Sequence, residues 1–162
     1  MKILILIALL FFAGCSLKSL HVNEKDLETL LLKHGMSEAK KLAKEAFFVS
    51  KKLKKEYDFS TSPQFHNFLV NARIKQRGLC WHFAYDMLEY FKSKNFKDVD
   101  YYIATANRGD YWEEHNVLVL TCKECKIEKG IILDAWRDTN ELFYAPFMGD
   151  PLYNWKKRGD KR

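Results

Sequence analysis

Beyond Phe12 the chain has no apolar run near the roughly 20 residues that a helix needs to cross a bilayer, so the body of the sequence offers no transmembrane anchor. It also lacks internal repeats and low-complexity linkers, which argues against a solenoid or a string of domains and for one domain. Cysteine is scarce, with four in 162 residues. Cys122 and Cys125 form one close pair, but no second Cys or His pair stands at zinc-ribbon spacing. A zinc ribbon, which needs four ligands, is therefore not expected, and neither is any other metal or cofactor. The positive excess is modest at +6 and gathers in Lys40 to Lys55 and Lys156 to Arg162. Such runs read as solvated faces or frayed ends, with attraction to anionic lipid or polymer as the alternative. Nucleic acid is not an expected partner.

What is present begins at the N-terminus. Lys2, the apolar run Ile3 to Phe12 and the small pair Ala13 and Gly14 stand in the order of a secretory signal. Phe12-Ala13-Gly14-Cys15 resembles the bacterial lipobox, with Phe12 where an aliphatic residue is usual. That resemblance implies a signal peptide over 1–14, lipid on Cys15 with palmitate among the acyl chains, and a tether over 15–22. Ser16 resembles the sorting preference for the outer membrane, so the expected location is the cell envelope, on the outer membrane facing the periplasm. Several acyl chains hold well, since each buried CH₂ contributes about 0.8 kcal/mol.

Residues 23–162 then read as a single α+β domain. Asn23 is a natural N-cap for a helix carrying Leu27, Leu30 and Leu31, and Gly35 ends it. A second helix is expected over Ser37 to Tyr57, capped by Ser37, with Leu42, Ala46, Val49 and Leu53 along one side. Ser62-Pro63 starts a third, whose apolar side runs through Phe65, Phe68, Leu69 and Ile74 as far as Gly78. The spacing of Phe83, Ala84, Met87, Leu88 and Phe91 predicts a fourth from Cys80 to about Lys94. Strands follow, over Val99 to Ala106, His115 to Thr121 and Gly130 to Trp136, separated by the turn residues 107–110 and the polar stretch 122–129. Helices first and a meander afterwards predict helices packed on an antiparallel sheet.

Three residues stand in an order that can build a nucleophile, a base and an orienter. Cys80 falls at a helix start, where the positive end of the helix dipole favours thiolate. His115 opens one strand and can take the thiol proton. Asp134 closes the next and can hold the far ring nitrogen, fixing the tautomer and stabilising the imidazolium. The Cys80 N–H can donate to a developing oxyanion. Taken singly, each has a plainer reading: a small core thiol, a satisfied strand histidine, a turn-capping aspartate.

Arg77-Gly78-Leu79-Cys80-Trp81-His82-Phe83-Ala84, Glu114-His115-Asn116-Val117 and Leu133-Asp134-Ala135-Trp136 together resemble the transglutaminase-like superfamily, whose core is related to papain-like cysteine peptidases. The resemblance spans Arg77 to Trp136. It departs at Val117, where the family often has Trp, and at Ala135, where Pro is frequent. It implies a papain-like fold with the nucleophile helix against an antiparallel sheet, and activities ranging from peptide hydrolysis to amide transfer, with silent relatives among them.

Trp81 is a candidate to line the cleft or donate its indole N–H. Gln76 is a candidate oxyanion donor at a spacing unlike papain's, and Asn116 and Trp136 are expected to shape the surroundings of the triad. His82, two positions from Cys80, should face away from it. Cys122 and Cys125 fit a local disulfide in an oxidising envelope better than a redox motif, since no helix follows Cys122. The aromatics of the tail, Phe143 to Trp155, are expected to pack over the sheet, some walling the cleft. The expected function is therefore a lipid-anchored cysteine peptidase, amidase or acyl transferase that acts on a peptide or peptidoglycan-like amide through a thioester. The alternative is a catalytically silent binding or scaffold lipoprotein of the same fold.

Overall fold

The computed structural model describes residues 23–110 and 112–159, and among these residues four helices precede the sheet. The expected signal segment 1–14, Cys15 and the tether 15–22 lie outside the described residues. Helix α1 is Glu24–Lys33, α2 is Ala39–Glu56, α3 is Pro63–Asn71 and α4 is Cys80–Ser93. The strands are β1 (Val99–Ala106), β2 (His115–Cys122), β3 (Ile131–Asp134), β4 (Phe143–Pro146) and β5 (Lys156–Lys157). They form one antiparallel sheet in the order β4-β3-β2-β1-β5. The chain is thus a mixed helix and antiparallel-sheet fold.

Local chemistry explains most boundaries. Asn23 caps α1, its side chain accepting from the Asp26 N–H at 2.9 Å, and Gly35 takes the left-handed conformation just past the end, at φ +82°. Ser37 does not cap α2. Its backbone N–H donates to Asp98 Oδ2 at 2.7 Å and its hydroxyl binds the same oxygen, so the side chain is tied to a distant carboxylate and the helix starts at Ala39. Helix α3 is shorter than the apolar spacing suggested, because Arg73 enters the left-handed region at φ +59°. Its faces are also reversed. His66 is its buried residue, while Phe65, Phe68 and the following Ile74 are exposed.

Two apolar layers sandwich the sheet. On one face Phe83, Ala84, Met87 and Phe91 of α4 pack with the stripe of α2 (Leu42, Ala46, Val49) against Leu118, Leu120, Ile131 and Leu133. Each large side chain buried there contributes roughly 1.5 to 3 kcal/mol. On the other face the C-terminal segment lays Phe147 and Trp155 over Val117, Val119 and Ile132, as the aromatic content of the tail led us to expect. Residues alternate between these layers along β2. Asn116 has the parity of Leu118 and Leu120, toward α4, whereas His115 has the parity of Val117, toward the C-terminal segment. Cys122 and Cys125 are joined by a disulfide at the far end of β2.

Candidate active site

The antiparallel pairing of Leu118 with Leu133 puts the start of β2 and the end of β3 at the same end of the sheet, and the N-terminus of α4 arrives there too. Cys80, His115 and Asp134 are brought together for that reason, although 54 positions separate the first from the last. The turn into α4 is built by two histidines. Leu79, the N-cap, has no side-chain acceptor, so Nδ1 of the buried His82 reaches back to accept from the N–H groups of Gly78 and Leu79, both at 3.1 Å. His82 therefore serves the helix start. From α3, His66 Nε2–H donates to the Arg77 carbonyl at 3.0 Å, and Gly78 passes over this ring at φ +120°.

A methyl group on Gly78 would sit 2.1 Å from His66 Nε2. Gly78→Ala is expected to cost about 2 to 4 kcal/mol, from the left-handed backbone and the overlap together, and to loosen the approach to Cys80. A chemical-denaturation midpoint equal to wild type would refute this reading of the turn.

Asp134 is completely engaged. Oδ1 accepts from the N–H groups of Trp136 and Arg137, both at 3.1 Å. Oδ2 accepts from His115 Nε2–H at 2.6 Å and from Arg137 Nε at 3.0 Å. Arg137 is held in turn by Asp150 at 3.1 and 2.6 Å and lies over the Phe143 and Tyr153 rings. Burial would raise the Asp134 pKa, but His115 and Arg137 outweigh it and hold the carboxyl below its ordinary 3.8. Asp134 is thus an ionised acceptor that orients the ring. For His115, burial alone would lower the pKa. The charge and hydrogen bond of Asp134, with a smaller contribution from Cys80, prevail and raise it above the ordinary 6.5. Trp136, Tyr153 and Trp155 wall the ring, with centroids at 4.9, 5.0 and 5.5 Å.

The Asp134 bond leaves Nδ1 as the ring atom for Cys80. Nδ1 makes no hydrogen bond. The thiol stands close enough to the imidazole to raise its proton affinity through hydrogen bonding as well as charge, although its S–H is aimed at the Glu114 carbonyl oxygen at 3.7 Å. On its other side the sulfur receives Asn116 Nδ2 at 4.0 Å. Among the described residues Cys80 is the one free cysteine.

Cys80 and His115 border a cleft of about 580 Å³, which continues into a smaller one of about 280 Å³ past Cys80 and Trp81. Asn67 and Asn71 of α3 form one wall, and the loop carrying Trp112 forms another. Trp112 is 83% exposed, and Phe68 and Leu152 are exposed at the rim. Trp81 therefore does line the cleft, and Trp136 ties its indole N–H to Asn67 Oδ1 at 3.1 Å, away from any oxyanion. Gln76 is a correction. It lies in a separate depression with Tyr57, Arg77 and Asp86, because the turn at Gly78 carries the preceding residues away from the cleft.

Sequence reading missed Arg137, Asp150, Arg158 and Asn67, and quoted Glu114 only as part of the His115 motif without a role. Of the four missed, only Arg137 carried a local signal, three positions after an acidic candidate. No group of three or more His, Cys, Asp or Glu is placed to hold a metal ion among the described residues. Comparisons with protein-family models, with curated proteins and with solved structures found no match to the chain.

Proposed function

We propose that this protein is a cysteine-dependent amidase, peptidase or acyl transferase with a transglutaminase-like, papain-like core, tethered in the cell envelope through lipid on Cys15. The observation that carries the catalytic part is the buried His115–Asp134 pair bordering the same open cleft as the free thiol of Cys80. In the reaction the thiol proton passes to His115 Nδ1 and the sulfur attacks the carbonyl carbon of an amide. The Cys80 N–H, first in its helix and without an intrahelical acceptor, stabilises the oxyanion. The C–N bond breaks, and the imidazolium hands its proton to the departing amine. A thioester remains on Cys80. Water or a second amine then attacks it with His115 as base, returning the thiol. Asp134 stays ionised throughout.

The cleft suits a peptide-like chain. It is open along its length, with carboxamides on its wall and exposed apolar side chains at its rim. The envelope assignment rests on the order of residues 2–15, and a sacculus peptide is one amide such a location would offer. No described helix is long and apolar enough to cross a membrane.

One observation favours a silent binding module, namely that the thiol hydrogen-bonds to Glu114 and leaves His115 Nδ1 unfilled. A peptidyl acyloxymethyl ketone probe separates the two readings. The enzyme reading expects the full chain to gain the probe mass at Cys80 and Cys80→Ala to stay unmodified. A wild-type chain that remains unmodified while still capturing peptide would favour the silent module.

A further inference from the structure

The C-terminal segment delivers a buried cation to two residues that line this cleft, Glu114 and Asn116. The Arg158 N–H donates to the Ile103 carbonyl at 2.8 Å, extending the pairing of β5 with β1. The guanidinium is enclosed, with its side chain 6% exposed. Its Nη1 donates to Asn116 Oδ1 at 2.7 Å and to Glu114 Oε1 at 2.9 Å. These two acceptors belong to the residues on either side of His115.

The chemistry of a carboxamide gives this contact its consequence. Asn116 has a donor end and an acceptor end of nearly the same shape, and its partners decide which way round it sits. A guanidinium has donors only, so it must take the oxygen. The NH₂ end is then directed to Cys80 Sγ at 4.0 Å, with Glu114 Oε1 at 3.4 Å helping to hold it. Reversed, the amide would turn oxygen lone pairs toward the sulfur and oppose thiolate. The Glu114 carboxylate balances the Arg158 charge, so the arrangement supplies an oriented donor without adding net charge beside the nucleophile.

We infer that Arg158 is a positioning residue for the Cys80 site, fixing the Asn116 carboxamide so that its NH₂ supports negative charge on the sulfur and on the adduct formed there. The inference rests on the reading of Cys80 as nucleophile. A buried arginine is costly to desolvate, and an apolar side chain would fill its place more cheaply if packing were its only role.

The test is the second-order rate constant for iodoacetamide at Cys80, measured across pH in the full chain. The chains compared are wild type, Asn116→Ala, Arg158→Met, Arg158→Lys and the Asn116→Ala/Arg158→Met double variant. Asn116→Ala and Arg158→Met should each slow labelling about tenfold near pH 7 and move the profile to higher pH. Arg158→Lys, which keeps a donor for Oδ1, should recover most of the loss. The double variant should label no more slowly than Asn116→Ala. Arg158→Met at the wild-type rate, or a double variant slowed by both factors multiplied, overturns the inference. If Arg158→Met fails to melt cooperatively, Asn116→Ala and Arg158→Lys decide, and Asn116→Ala at the wild-type rate again overturns it. A wild-type rate no greater than that of glutathione sinks the nucleophile reading itself, and the inference with it.

Discussion

Asp134→Ala is expected to destabilise the fold by about 3 to 5 kcal/mol at pH 6, the range for removing one partner of a buried charge pair. Four donors converge on this carboxylate, and deleting it strands the His115 ring and two backbone N–H groups while loosening Arg137. Asp150 keeps Arg137 partnered, which places the loss toward the lower end. The pH dependence has two limbs. Asp134 has a lowered pKa in the fold, so its contribution is present above 3.8 and is lost as pH falls toward the folded value. His115 has a raised pKa, so its contribution is complete below 6.5 and is lost as pH rises through the folded value. Wild type should therefore exceed Asp134→Ala most between about pH 4 and 6.5, with the gap narrowing on either side. Urea titrations across this range check it, and a gap independent of pH would contradict the ion pair.

His115→Ala should slow modification of Cys80 by the peptidyl probe by about 100- to 10,000-fold near neutral pH, the usual contribution of a positioned acid–base group. The variant loses both the acceptor for the thiol proton and the positive charge that Asp134 sustains beside the sulfur. Asp134→Asn should fall between wild type and His115→Ala. It keeps a side chain of the same shape but no longer stabilises the imidazolium, and it allows the ring to adopt the wrong tautomer. Intact-mass time courses give both rates. Equal rates for wild type and His115→Ala would mean that the imidazole takes no part.

Legibility in the sequence followed the range of each interaction. Strand β1 matches its predicted span because β-branched and aromatic residues fill it and turn residues bound it. Helix α4 shows in the spacing of Phe83, Met87 and Phe91, which a single packing face imposes. Cys80, His115 and Asp134 stood out through their place at element ends, where antiparallel pairing gathers side chains. Ser37 misled because a free hydroxyl before a helix looks the same whether or not a distant Asp98 has claimed it. Phe65 and Phe68 misled because apolar spacing does not say which face is covered, and here the covered residue is His66. Arg158 and Asp150 could not be found by periodicity or motif, since their partners lie 42 and 13 positions away and are set only by the closing of the C-terminal segment. Cys80, His115 and Asp134 carried a signature, and the groups that hold Asn116 and Arg137 in place did not.

The account depends most on the sulfur of Cys80 and the ring of His115 forming one electrostatic unit. NMR titration of the His115 ring nitrogens, in wild type and in Cys80→Ala, measures this directly. We expect Nε2 to remain protonated toward Asp134 throughout, and the ring to release its Nδ1 proton at distinctly lower pH once the sulfur is gone. A ring that titrates at the same pH in both chains would contradict the pairing and, with it, the proposed chemistry.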